Sequence, residues 1–133
     1  IFIEGSGKGV TILEYDQPEV AILMEKTILQ SGLSDLTIRN TAGPGIMLSA
    51  TSTGIIPDRD ESSFYMNNVE VSVSAQGTVT ALDISGPIWV TMMSSDLQAY
   101  ATASGFTAVT GIKLDGLMEF KLSNSKLTAL SDS

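Results

Sequence analysis

Ser34-Asp35-Leu36-Thr37-Ile38 returns in altered spelling three times along the chain, as Asn67-Asn68-Val69-Glu70-Val71, Ser95-Asp96-Leu97-Gln98-Ala99 and Ser125-Lys126-Leu127-Thr128-Ala129. Each copy has a small polar residue two positions before an aliphatic and another apolar residue two positions after it. The aliphatics at 36, 69, 97 and 127 are 33, 28 and 30 residues apart. A second column lies between them: Gly45-Ile46-Met47-Leu48, Ala81-Leu82-Asp83-Ile84 and Gly111-Ile112-Lys113-Leu114, whose starts are 36 and 30 residues apart. The alternation within each copy is that of a strand with one buried face. Two strand columns recurring about every 30 residues describe a coil that stacks on copies of itself, because one coil alone cannot bury its apolar side chains. The expected fold is all-β, a right-handed parallel β-helix (β-solenoid) of about four coils; a β-sandwich, which also has short strands with regularly spaced turns, is the alternative. Leu36, Val69, Leu97 and Leu127 are expected to form one interior row at the inter-strand spacing of about 4.8 Å.

The rest of the chain agrees with a β reading. Val10-Thr11-Ile12-Leu13 and Val69-Glu70-Val71-Ser72-Val73 alternate, and Ser and Thr together make 30 residues, many inside or beside the apolar runs. Ala21-Ile22-Leu23-Met24 is read as a strand in preference to a helix over 19–30. The length of 133 residues suits a single solenoid domain over 1–133. Four coils make a stack only about 20 Å tall with unpaired strand edges at both ends. The chain is therefore expected to be a segment of a longer solenoid or a homo-oligomer that buries its ends against copies of itself, as happens in trimeric phage tail spikes.

Composition removes several chemistries. The chain has no Cys and no His, so the usual zinc sites, Ser-His-Asp triads and thiol nucleophiles are out of reach. Seven basic and 15 acidic residues give a formal charge of −8, which repels phosphates and argues against nucleic acid as a partner. The longest uncharged run, Asn40 to Pro57, is broken by Gly43, Pro44, Gly45 and Gly54 and does not suit a membrane span. Gly5-Ser6-Gly7-Lys8-Gly9 lacks the Ser or Thr after Lys, and the following helix, that a phosphate loop needs; it is read as a flexible turn between Ile3 and Val10.

Two groups of residues are candidates for ligands. With Leu36, Val69, Leu97 and Leu127 inward, strand alternation turns Arg39, Glu70, Gln98 and Tyr100 outward on successive coils. Planar polar side chains beside an aromatic ring suit a polysaccharide or surface glycan; a plain solvent-facing sheet, with Arg39 and Glu70 as a cross-strand pair, is the other reading. Asp58, Asp60 and Glu61 could offer oxygens to calcium, though the run lacks the glycine and distal Glu of an EF-hand and also reads as a solvated loop. No other cofactor is expected. In the second column Asp83 and Lys113 should be neighbours. Trp89, Met66, Met92 and Met93 are read as packing residues.

Gly5-Ser6-Gly7-Lys8-Gly9-Val10-Thr11-Ile12, followed by Leu36-Thr37-Ile38-Arg39-Asn40-Thr41-Ala42-Gly43-Pro44, resembles the opening coils of right-handed parallel β-helix proteins of the pectin-lyase type. Asn40-Thr41-Ala42-Gly43-Pro44 is similar to a segment of pectin methylesterases. There the string leads into a Gln-Ala-Val segment that supplies a site glutamine; here Gly45-Ile46-Met47-Leu48-Ser49-Ala50 follows. The esterases' paired aspartates, in their Asp-Phe and Gly-Arg-Pro-Trp contexts, have no match either. The resemblance thus implies the fold more than the chemistry. A non-catalytic structural or glycan-binding β-helix domain of a cell-surface adhesin or phage tail fibre or spike is expected, extracellular or on a virion; a polysaccharide lyase or pectin-esterase-like enzyme is the alternative.

Overall fold

A computed structural model describes residues 1–26, 30–51, 62–102 and 109–131. Twelve strands follow one another in it: β1 (Phe2–Glu4), β2 (Ile12–Tyr15), β3 (Ile22–Lys26), β4 (Ser31–Asn40), β5 (Ile46–Ala50), β6 (Ser63–Ala75), β7 (Val79–Ser85), β8 (Trp89–Met93), β9 (Asp96–Ala101), β10 (Val109–Asp115), β11 (Glu119–Ser123) and β12 (Lys126–Ser131). Every pairing between them is parallel. That excludes the antiparallel sandwich and gives a β-solenoid of about four turns.

Each turn has three faces. The first carries β1, the leading half of β4, the leading half of β6, β8 and β11. The second carries β2, the trailing halves of β4 and β6, β9 and β12; the third carries β3, β5, β7 and β10. Inside, each face contributes aliphatic rows in register. Ile3, Leu33, Met66, Met92 and Leu122 line up on the first face, and Leu13, Ile38, Val71, Leu97 and Leu127 on the second. Ile22, Ile46, Leu82 and Ile112 line up on the third. The central members, Leu33, Met66, Met92, Ile38, Val71, Leu97, Ile46 and Leu82, are at most 2% exposed. Burying each such side chain contributes about 1.5–3 kcal/mol, against which the ordering of the chain must be set.

The corners explain why these strings fold this way. Between the first and second faces each described coil from the second onward places one residue in the left-handed region: Asp35 (φ 55°), Asn68 (φ 54°), Ser94 (φ 49°) and Asn124 (φ 48°). Asn and Asp tolerate this conformation better than most residues. Asn68 Nδ2 also donates to Asp35 Oδ1 at 2.8 Å, tying one corner to the next. Between the second and third faces Asn40 is fully buried; its Nδ2 donates to the carbonyls of Glu19 (2.8 Å) and Pro44 (2.9 Å), and its Oδ1 accepts the amide of Ala42 at 3.1 Å. The Asn-Thr-Ala-Gly-Pro string is thus a buried turn, with its asparagine satisfying backbone groups that have no water to turn to. Gly45 follows it because the backbone there closes on the second face: a Cβ would lie 2.6 Å from Val71 Cγ1.

The third-face column falls in the expected register, with Ile46, Leu82 and Ile112 together and Asp83 opposite Lys113. Ala21-Ile22-Leu23-Met24 leads into β3, a strand as expected. The second-face column needs a correction. Leu36 does pair with Val69 and Leu97 with Leu127, but Val71, not Val69, stands opposite Leu97. The position next to Val69 is taken by Ser95, which is fully buried. Its Oγ accepts the Val69 amide at 3.1 Å and donates to the Met93 carbonyl at 2.9 Å. Ser125 Oγ repeats the pattern one coil on, accepting the Ser95 amide (3.1 Å) and donating to the Ser123 carbonyl (2.9 Å). A serine that serves the corner has replaced the aliphatic there, which slides the apparent motif by two residues.

The end coils are open. The interior rows end exposed, at Leu13 (40% exposed) on the first coil and at Leu122 (46%) and Leu127 (45%) on the last. Among the described residues no helix is long and apolar enough to cross a membrane.

Candidate functional site

The second face positions the candidate residues, because its inward residues are locked and their neighbours must point out. Along β6 the burial alternates strictly from Val69 to Ala75. Three outward rows result. Thr37, Glu70, Asp96 and Lys126 form one, and Glu14, Arg39, Ser72, Gln98 and Thr128 the next. Ser74, Tyr100 and Leu130 form the third.

Arg39 and Gln98 therefore do share a row, with the hydroxyl of Ser72 between them. Glu70 and Tyr100 do not join it. Glu70 sits one row back, opposite Thr37 and Asp96, and Tyr100 one row ahead, opposite Ser74 and Leu130. The expected Arg39–Glu70 pair is replaced by Arg39 and Glu14, whose Nη1 and Oε2 are 3.9 Å apart. Both side chains are well exposed, so this contact contributes little to stability. What the face offers is a flat patch about 4.8 Å per rung, with guanidinium, hydroxyl and amide groups on successive strands and a phenol alongside.

Ser72, Ser74 and Asp96 were not singled out by the sequence. The signal that would have found them is the corner serine: aligning Ser95 with Leu36 and Val69 moves the third and fourth copies of the repeat by two residues and brings Gln98 level with Ser72. Lys8 is the other omission. The Gly5-Ser6-Gly7-Lys8-Gly9 segment is not a free turn but a strap across the corner column. The amides of Gly5 and Gly7 donate to the carbonyls of Ser34 (2.9 Å) and Asp35 (2.8 Å), and that of Gly9 to Thr37 Oγ1 (2.9 Å). Lys8 Nζ then reaches the carbonyl of Ser94 at 3.1 Å and Asp96 Oδ2 at 3.3 Å, two coils beyond Asp35. Glycine is needed at position 5, where a Cβ would run into the Asp35 carbonyl oxygen.

Asp58, Asp60 and Glu61, the candidate calcium ligands, lie outside the described residues. Among the described residues no cluster of three or more acidic side chains is placed to hold a metal ion. Met66 and Met92 are fully buried, as packing residues should be, whereas Met93 points outward and is 41% exposed. Trp89 is half-buried on the outer side of the first face, in the row of Ser63 and Glu119. No family model matches the chain, and neither a curated protein nor a solved structure is found to match it.

Proposed function

We propose that this chain is a non-catalytic, glycan-binding β-helix domain of a cell-surface adhesin or of a phage tail fibre or spike, working outside the cell or on a virion. The observation that carries the proposal is the outward row of Arg39, Ser72 and Gln98, with Tyr100 in the adjoining row, on a sheet face held rigid by the buried rows beneath it. Guanidinium, hydroxyl and amide groups complement the vicinal hydroxyls of a sugar, and a tyrosine ring offers a surface to its C–H face. The pectin-lyase-like pattern supports the same reading, since it implies a β-helix without the esterases' site residues. The open apolar edges of the end coils suit a neighbour of the same architecture, in a homo-oligomer or a larger parent chain.

A glycan array probed with the parent protein and with Arg39→Ala and Tyr100→Ala tests the binding. Retention of a glycan that both substitutions weaken supports the proposal. No retention removes the glycan-binding reading, and retention indifferent to both removes this row as its site.

One observation favours a second reading, a polysaccharide lyase or pectin-esterase-like enzyme: the carboxylates of Glu70 and Asp96 stand on adjacent strands directly beside the polar row. Incubation with acidic polysaccharides, with and without a chelator, would yield unsaturated or de-esterified products if that reading holds.

A further inference from the structure

The outer surface of the first face carries a different set of groups. Phe2, Gly32, Tyr65, Thr91 and Lys121 form one row across five strands. They point outward, because Leu33, Met66 and Met92, beside them in the chain, are buried. Gly32 has no side chain, and the Phe2 ring has taken the vacated space: a Cβ on Gly32 would lie 3.2 Å from both Cδ1 and Cε1 of Phe2, and 2.9 Å from the Tyr65 carbonyl oxygen. The ring leans over the β4 backbone yet is left largely open, with Phe2 67% exposed. Tyr65, 36% exposed, stands on the other side of the glycine, two strand spacings or about 10 Å from Phe2. Trp89 lies on the same surface, one strand across and two residues along from Tyr65, about 8 Å away.

The surroundings are mostly polar, and besides the paired Lys121 and Glu119 they carry one exposed carboxylate, Glu4. Glu4, Ser34, Asn67, Met93 and Ser123 form the row that flanks the aromatic row on one side, and Thr91 continues the aromatic row itself. The Lys121 ammonium is paired with Glu119 Oε1 at 3.4 Å. Two neighbouring exposed rings among hydroxyl, amide and carboxylate groups, with Met93 at the edge, make an amphipathic surface. A polyanion finds no unbalanced cation there, and a chain of net charge −8 repels it in general. An apolar protein surface or lipid would strand the hydroxyl and amide groups. A neutral sugar chain has the matching character, with C–H faces for the rings and hydroxyls for Ser34, Asn67 and Thr91.

We infer that the outer surface of the first face is a contact platform for a neutral glycan, with Phe2, seated over Gly32, and Tyr65 as its stacking rings. This deepens the glycan-binding reading above and rests on it, but places neutral sugars on a different face from Arg39 and Tyr100.

Trp89 is the single tryptophan of the chain and lies on this surface, so its emission reports occupancy there and not on the second face. An array of neutral glucans, mannans and galactans, with polygalacturonate and hyaluronan as acidic comparators, is probed with the parent protein. The neutral glycan retained most strongly is then titrated while Trp89 emission is followed. A saturable change in emission is expected, with the apparent Kd raised about tenfold by Phe2→Ala or Tyr65→Ala. Gly32→Val, which displaces the Phe2 ring and presses on the Tyr65 backbone while keeping both aromatics, should weaken binding similarly, and Arg39→Ala should leave the emission change intact. Circular dichroism confirms that each variant keeps the parent fold. Retention of acidic glycans alone overturns the inference and leaves the broader reading standing. So does neutral binding lost in Arg39→Ala but indifferent to Phe2→Ala and Tyr65→Ala. Retention of nothing on the array overturns both.

Discussion

Gly45→Ala and Gly111→Ala add the same methyl group at the corner column between the second and third faces, yet should move stability in opposite directions. Ala81 occupies the equivalent position of the intervening coil, so alanine as such is compatible with the column. Neither glycine has positive φ, so no conformational penalty attaches to the change. At Gly45 the added Cβ would lie 2.5 Å from the Ala81 carbonyl oxygen, 2.6 Å from Val71 Cγ1 and 3.0 Å from Val73 Cγ1. Backbone and β-branched side chains yield little, so overpacking costs about 3 kcal/mol, at the upper end of its usual range. The reduced freedom of the unfolded chain returns about 0.5–1 kcal/mol, leaving a net loss of about 2 kcal/mol. At Gly111 the nearest neighbour is Leu127 Cβ at 4.0 Å, so only the favourable 0.5–1 kcal/mol, roughly, remains. For 133 residues the unfolding entropy is about 0.28 kcal/mol/K, so Gly45→Ala should lower Tm by about 7 °C and Gly111→Ala raise it by about 2–4 °C. Thermal and guanidinium unfolding followed by circular dichroism measure both. Adding Val71→Ala to Gly45→Ala should show a favourable coupling of about 1 kcal/mol, because one of the three close contacts is gone. A Gly45→Ala protein as stable as the parent, or less damaged than Gly111→Ala, would refute the claim that the coil is closed by contact between these two faces.

Asn40→Leu removes the partners of two carbonyls and one amide at a fully buried turn and should cost about 3–5 kcal/mol, with faster hydrogen exchange at the Ala42 amide. Ser95→Val, which the repeat alone would favour, should instead destabilise by about 2 kcal/mol in denaturant titrations, since it orphans the Val69 amide. Ser94→Asn, placing a residue better suited to φ 49° at its corner, should stabilise by about 0.5 kcal/mol in the same assay. Lys8→Met should lose less than about 1 kcal/mol, with the difference shrinking as salt is raised, because the Lys8–Asp96 pair is partly solvent-exposed.

Much of the fold was legible because the third-face column obeys one rule on every coil: a small residue at the tight corner, then alternating aliphatics. Gly45, Ala81 and Gly111 fill one small-residue column, of which Gly45 marks a close approach of the faces, and the aliphatics behind them fall in register without adjustment. The first face was not legible as a column. Its interior row contains Met66 and Met92, which carry no strand preference, and Gly32 interrupts its outer row. On β4 and β6 it also runs through the corner into the second face without a break, so one long strand spans two faces. The strap was invisible for another reason. Lys8 and Asp96 are 88 residues apart, and no local pattern announces a contact that only the stacking of coils creates.

The candidate row shows which part of a register error matters. Side chains alternate across a strand with a period of two, so a slip of one residue would have exchanged inside for outside. The slip caused by Ser95 is two residues, and it left every residue on its own side of the sheet while changing its neighbours. Arg39, Glu70, Gln98 and Tyr100 accordingly all face outward, as the alternation required, but Gln98 lies level with Ser72 and Arg39, while Glu70 lies level with Asp96. The chemistry of the patch changes with that shift. Without the slip Gln98 would stand beside Glu70 and Tyr100 beside Ser72; with it the Gln98 amide joins Ser72 and Arg39 in one row, where the guanidinium has only the exposed Glu14 contact at 3.9 Å.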